Sequence, residues 1–239
     1  MKQALELALI VPVYNEEEAI VSVLQEWITM LREQKLAFTV LVINDGSTDN
    51  TLALVEKFRD TTGPEIICHT QPNQGHGQSC LNGYRLAIGL GVPFIFQIDS
   101  DGQCDPIYFP ALWVRRDEQP SVYGYRKQRD DGLVRIVVSG VLRHFLKVLC
   151  RTKLNDTNVP YRLYQSSVLK MEVDHIPKDF HLANIAMALL MERHGFLEIP
   201  IGFRDRKGGE AGVKLWSFAA RACQLYGNLQ QLKQRVRTR

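Results

Sequence analysis

Between residues 7 and 98 the chain alternates two hydrophobic patterns. Leu7 to Val13 is an unbroken apolar run, as expected of a strand buried on both faces of a parallel sheet. Ile20, Val23, Leu24, Trp27, Ile28 and Leu31 then recur at helical spacing. Phe38 to Ile43 predicts a second buried strand. Leu52, Val55 and Phe58 mark a second helix, with Thr48 or Asp49 placed to cap it. Glu65 to His69 predicts a shorter strand, Ser79 to Leu90 a third helix, and Phe94 to Ile98 a fourth strand. Three successive strand–helix units imply an α/β fold whose sheet is mostly parallel, with right-handed crossovers. If the fourth strand returns beside the first, the strand order reverses there and opens a crevice at the carboxyl ends.

After Asp101 the alternation breaks. Pro106 to Arg115 predicts a short helix, Tyr123-Gly124-Tyr125 a strand end, and Leu133 to Arg151 a long helix. Thr152 to Tyr164 reads as a loop entering a short strand, residues 181 to 194 as helix, and Phe196 to Phe203 as strand. Arg204 to Gly212 is a Gly-rich loop, and the remainder forms one basic amphipathic helix. The expected organisation is one domain over residues 1–212, with a donor half (1–105), an acceptor half (106–212) and an appended helix over 213–239.

The polar segments between these elements carry the chemistry. Asp99-Ser100-Asp101 follows the fourth strand, so two carboxylates one residue apart are thrust out where ligands of open α/β sheets sit. Carboxylate oxygens suit Mg²⁺ or Mn²⁺, and Mg²⁺ usually adds substrate phosphates to one or two carboxylates. An Asp-x-Asp alone is usually a solvated loop. Here Tyr14 to Glu17, Asn44 to Thr51 and Asn73 to Gly77 fall on the same rim, and four polar loops together point to a site. No Gly-x-Gly-x-x-Gly and no Gly-Lys-Ser/Thr occurs, which disfavours a dinucleotide fold and a P-loop.

Composition narrows the class a little further. The net charge of +3 is too small to imply nucleic acid. No Asp or Glu follows Glu210, so the last segment is basic, as suits an anionic lipid surface or a solvated end. Five cysteines without a Cys-x-x-Cys pair argue against zinc and disulfides, and fit a reducing cytoplasm. No secretory signal is evident and no stretch approaches a membrane span, so any action on lipid is expected from the membrane surface.

The succession PVYNEEEAI, VINDGSTDNT, NQGHGQS and DSDGQCDP resembles the family 2 glycosyltransferases of GT-A fold. GYRKQRDD, VRIVVSG, NDTNVPYRLY and EIPIGFRDRKGG are similar to the branch that includes dolichyl-phosphate mannose synthase and other polyprenyl-phosphate glycosyltransferases. The resemblance implies an inverting transferase that takes a hexose from a UDP- or GDP-sugar. It assigns Pro12, Tyr14, Glu16, Ile43 and Asp45 to the nucleotide, with Ser100 near the donor. It assigns Asp99, Asp101 and Gln103 to the metal. Arg126, Arg135, Ser139 and Arg206 match positions that meet phosphate, and Asp156 matches an Asp of the acceptor region, where it orients the acceptor or acts as a base.

Two observations on the residues bear on the acceptor. Arg135, Ser139, Arg143, Lys147 and Arg151 lie four apart and would form one helical stripe, facing either solvent or an anionic acceptor. A sugar hydroxyl needs a general base, whereas a phosphate is already ionised. The stretch Phe180-His181-Leu182-Ala183-Asn184 lacks the Glu-Asp pair of many hydroxyl-directed members, which favours a polyprenyl phosphate. A soluble transferase acting on a glycan hydroxyl, a non-catalytic nucleotide-sugar-binding subunit and a nucleotidyltransferase are the alternatives. Arg206, in the Gly-rich loop, is expected to close over the leaving diphosphate. His76 is expected to shape its loop and nothing more.

Overall fold

The computed structural model describes residues 4–63, 65–126, 152–176 and 183–207. The expected helix at Leu133 to Arg151, with Arg135 and Ser139, and the basic helix at 213–239 lie outside the described residues.

Four strands and three helices build the first half in strict alternation: β1 Leu7–Val13, α1 Ile20–Glu33, β2 Phe38–Asn44, α2 Thr51–Thr62, β3 Ile66–Thr70, α3 His76–Gly89 and β4 Phe94–Ile98. A 3₁₀ turn at Pro106–Tyr108, a short α4 at Phe109–Trp113 and β5 at Ser121–Arg126 follow. The chain resumes with β6 Tyr161–Gln165, α5 Ser166–Glu172, α6 Ala183–Met191 and β7 Leu197–Ile201. The helix at Ser166–Glu172 is not legible in the apolar spacing. No helix among the described residues is long and apolar enough to cross a membrane.

Among the described residues, seven strands form one sheet ordered β3-β2-β1-β4-β6-β5-β7. β4 does lie beside β1, in parallel register from Leu7↔Phe94 to Ile10↔Gln97. Only β6 runs against its neighbours, antiparallel to β4 and to β5, while β5 and β7 are again parallel. The carboxyl ends of β1, β2, β3, β4, β5 and β7 therefore share one rim. Because β6 is reversed, the loop that enters it (residues 152–160) reaches that rim too.

Burial explains the elements. Every residue of β1 and β2 is buried, as continuous apolar runs require. The six apolar residues of α1 named above are all buried. Trp27 packs its ring at 5.4 Å from Phe96, 6.1 Å from Phe109 and 5.8 Å from Tyr161, which locks α1 to both halves of the sheet. Helix α3 lies close on β1 because Gly83 has no side chain, and a Cβ there would sit 2.5 Å from Ile10.

α3 starts at His76, three residues before the expected Ser79. Gly75 caps it with φ +87°, and the Gly-His-Gly sequence that suggests a loop is instead the turn and first turn of the helix. Asp49, not Thr48, stabilises the start of α2: its Oδ1 accepts from the Thr51 N–H at 3.0 Å.

Candidate active site

The rim loops after β1 and β2 are laced together. Asn15, at φ +51°, donates its backbone N–H to Ser47 Oγ, and its Oδ1 accepts from the Thr48 N–H at 2.8 Å. The Glu16 N–H donates to Thr51 Oγ1 at 2.9 Å, and Glu17 Oε2 accepts from the Asn50 N–H at 3.0 Å. Much of the polar content of these loops is thus spent on each other, which fixes the platform. Tyr14, 46% exposed, is left standing on it as an aromatic face open to a ligand.

Asp45 is almost fully buried. Its Oδ1 accepts from Gln71 Nε2 at 2.7 Å and the Gln74 N–H at 2.9 Å, and its Oδ2 from the Gly75 N–H at 2.8 Å. It holds the loop between β3 and α3. Pro12 and Ile43 face each other in register on β1 and β2, and both are buried. The Ile43 side chain lies under α3 near Gly83. With no exposed surface, the Ile43 side chain forms the floor beneath the rim.

The acidic loop leaves β4 at Ile98. Ser100 is buried. Asp101 Oδ1 accepts from the Gln103 N–H at 3.1 Å, which closes a tight turn around Gly102 at φ +81°. Asp99 Oδ1 is buried and, among the described residues, has no hydrogen-bond partner. Burial pushes the Asp99 carboxyl up, opposed by His76, with Asp101 raising it and the positive fields of Arg162 and Arg126 lowering it. An unpartnered buried carboxylate oxygen beside a second carboxylate is a poor place for a neutral group and a good one for a cation. Asp99 and Asp101 therefore fit the divalent ion expected from the sequence. Gln103 donates Nε2 to the Arg204 carbonyl at 3.4 Å, so its amide oxygen is the atom able to ligate. No group of three or more His, Cys, Asp or Glu that could hold a metal occurs among the described residues. The remaining ligands must come from elsewhere, as Mg²⁺ sites that borrow substrate phosphates require.

A strap runs over this loop after β7. The Arg204 N–H donates to the Gln103 carbonyl and the Lys207 N–H to the Asp101 carbonyl, each at 3.0 Å. Arg204 pairs with Glu26 and Asp105, and Lys207 with Glu26. Arg206 turns inward to Glu16, with its other nitrogen 4.0 Å from Asp101 Oδ2. Burial pushes the Glu16 carboxyl up to about 7; Arg206 opposes that, while Asp101, Asp99 and Asp49 add to it.

On the far side of the acidic loop, Arg126 at the end of β5 grips Asp156 through two bonds, Nε–Oδ2 at 2.7 Å and Nη2–Oδ1 at 3.1 Å. Its guanidinium also lies over Phe203, 5.1 Å from the ring centre. The loop that carries Asp156 is held from all sides. Glu192 accepts from Thr152 Oγ1 and the Lys153 N–H, and Glu198 from the Asn155 N–H. Beneath it, fully buried Arg162 donates to the carbonyls of Thr157, Val159 and Asn184. The two-bond fork holds the Arg126 guanidinium and the Asp156 carboxylate in one fixed orientation.

His76 brings its ring among groups from three elements. Its Nε2 lies 3.6 Å from Asp99 Oδ1, 3.5 Å from Cys80 Sγ and 3.5 Å from Asn184 Nδ2. Cys80 and Asp99 together push the imidazole up, to about 10. His76, Arg162 and Asn184 are the participants that sequence reasoning missed. An Arg inside the apolar run Tyr161 to Tyr164 was the one available signal.

The architecture defines the class. Glucosyl-3-phosphoglycerate synthase of Mycobacterium tuberculosis, solved with Mn²⁺, UDP and glucosyl-3-phosphoglycerate, superposes with a TM-score of 0.68 at 17% identity, over 95% of this chain and 79% of that one. This is the GT-A glycosyltransferase fold. The family model for glycosyl transferase family 2 matches residues 8–171, and the chain belongs to that family. Dodecaprenyl-phosphate galacturonate synthase of Rhizobium johnstonii is 29% identical over 172 residues, 70% of this chain and 50% of that protein. Undecaprenyl-phosphate mannosyltransferase of Micrococcus luteus is 25% identical over 233 residues, 89% of this chain and 94% of that protein. The chain thus spans half the length of the first relative and nearly all of the second.

Proposed function

We propose that the chain is an inverting, divalent-metal-dependent transferase. It moves a hexose from a UDP- or GDP-sugar to a polyprenyl phosphate at the inner face of a membrane. The observation that carries this reading is the convergence, on one rim, of two carboxylates, one with a buried oxygen that lacks a hydrogen bond, and an Arg126 guanidinium held in place by Asp156.

Tyr14 offers a face for the base, and Asp45 keeps one oxygen with a single donor toward the nucleoside. Asp99 and Asp101, with the Gln103 amide oxygen, hold Mg²⁺ or Mn²⁺. When bound, that ion offsets the charge developing on the leaving diphosphate. Arg206 leaves Glu16 for the same diphosphate, since a guanidinium bonds two phosphate oxygens through its planar fork. Arg126 receives the acceptor phosphate, and Arg135 and Ser139 serve the same group. An ionised phosphate attacks without a general base, so a carboxylate committed to Arg126 is no handicap. The names of the relatives, two of them polyprenyl-phosphate sugar transferases, support the acceptor class.

Incubation with Mn²⁺, UDP- and GDP-sugars and undecaprenyl phosphate tests the reading. It expects a glycosylated lipid phosphate with inverted anomeric configuration. Transfer to free glycan hydroxyls with no lipid product overturns the acceptor class, and donor binding without any turnover supports the binding-subunit alternative.

A further inference from the structure

We propose that Asn184 and His76 form the subsite that grips the hydroxyls of the transferred sugar, and thereby select which sugar is moved. The proposal rests on the donor reading above and names the residues that read the donor's sugar half.

Three separate elements bring polar groups to one point. His76 opens α3, Asp99 ends the strand–loop junction after β4, and Asn184 sits in the first turn of α6. The Asn184 amide nitrogen and the Asp99 Oδ1 both lie next to the same imidazole nitrogen, at 3.5 Å and 3.6 Å. Asn184 is only 7% exposed, and its Oδ1 is buried with no hydrogen-bond partner among the described residues. Turning the amide over exchanges oxygen for nitrogen and still leaves one end unpartnered. A buried amide end without a partner is uncommon, since buried polar groups are nearly always satisfied.

Buried Arg162 donates to the backbone carbonyl of Asn184 and ties the start of α6 to the β6 strand. The His76 ring is half exposed, so the cluster opens to solvent and is accessible to a ligand.

The chemistry of the cluster selects its ligand. An anion would meet the Asp99 carboxylate. A second cation would find one amide oxygen and one imidazole already shared with Cys80. A sugar hydroxyl both donates and accepts, and an amide offers one end for each role, with the imidazole beside it. On the donor reading above, the hexose would hang from the diphosphate at the acidic loop, and Asp99 belongs to both that loop and this cluster.

Calorimetry on the full chain with Mn²⁺ tests the assignment, comparing UDP with UDP-glucose and UDP-galacturonate, and GDP with GDP-mannose. The wild type is expected to bind one sugar nucleotide more tightly than its parent nucleotide. Asn184→Ala is expected to lose about five- to tenfold of that sugar-dependent gain, the worth of one net hydrogen bond, with the bare nucleotide bound as before. Unchanged binding of UDP or GDP shows the variant to be folded. His76→Ala, at a half-exposed position on another element, is expected to do the same should Asn184→Ala misfold. An undiminished sugar gain in the variants overturns the subsite alone. So does a wild type that binds bare nucleotide but gains nothing from any of the sugars, or a variant that melts like the wild type yet loses bare nucleotide as well. A wild type that binds no nucleotide with Mn²⁺ overturns the donor reading, and the subsite falls with it.

Discussion

Arg126 and Asp156, thirty residues apart in sequence, hold each other by a two-bond fork at 2.7 Å and 3.1 Å, with both side chains largely withdrawn from solvent. Removing either partner takes the two-bond fork from a largely buried charge. Alanine at either position is expected to cost about 2–4 kcal/mol, and the double variant less than the sum, with a coupling of about 1–3 kcal/mol. Urea unfolding of the four proteins measures it. Asp156→Asn separates the chemical roles. It is expected to raise the acceptor KM while leaving the pH profile of kcat in place; loss of the acidic limb of that profile would mark Asp156 as a base.

Asp99 carries a cost in the unliganded protein, because burial disfavours its charged form. Asp99→Asn is therefore expected to raise the thermal midpoint by about 2–4 °C, equivalent to roughly 1 kcal/mol at this chain length. The same variant is expected to lose the stabilisation that Mn²⁺ plus nucleotide gives the wild type. Thermal melts with and without both ligands provide the two readings.

Glu16 gives a pH signature. Its carboxyl sits at about 7 in the folded chain, against an ordinary 4.5 when unfolded. Between those values the folded state holds a proton that the unfolded state has released, so stability falls as pH rises from 4.5 to 7 and levels off above. Glu16→Gln is expected to flatten that decline. Denaturation midpoints at half-unit steps of pH test the slope; an equal decline in both proteins refutes the assignment.

Gly102 holds the acidic turn at φ +81°, and a Cβ there would lie 2.7 Å from Lys207 Cγ. Gly102→Ala is expected to cost about 1–2 kcal/mol from the left-handed backbone. It should also push the Lys207 stem off its contact with Glu26. Adding Lys207→Ala is expected to recover the steric part only. Melting of the single and double variants separates the two contributions.

The donor half was legible because its physics is local and repetitive. Leu7 to Val13 is apolar without a break since both faces are covered, and the six apolar positions of α1 fall on one face. The acidic pair after Ile98 could be placed on the rim for the same reason. His76 was misread because Gly75 and Gly77 look like loop, while the helix gains from tertiary packing at a site where propensity is poor. Asn184 and Arg162 were invisible because their significance lies in what surrounds them: an amide with an empty end, and a buried guanidinium satisfied by carbonyls from one loop and the start of α6. Neither leaves a periodicity to read. The fork between Arg126 and Asp156 needed the strand order, since it is the reversal of β6 that makes them neighbours.

That reversed strand has a consequence for how the enzyme can diversify. The donor loops are exits from their strands, whereas residues 152–160 are an entrance to theirs. Length added at the start of that entrance would be taken up before Tyr161, leaving the pairing of β6 with Phe94 to Ile98 in step. The stretch from Thr157 to Val159 has no such latitude, because its carbonyls satisfy the guanidinium of Arg162.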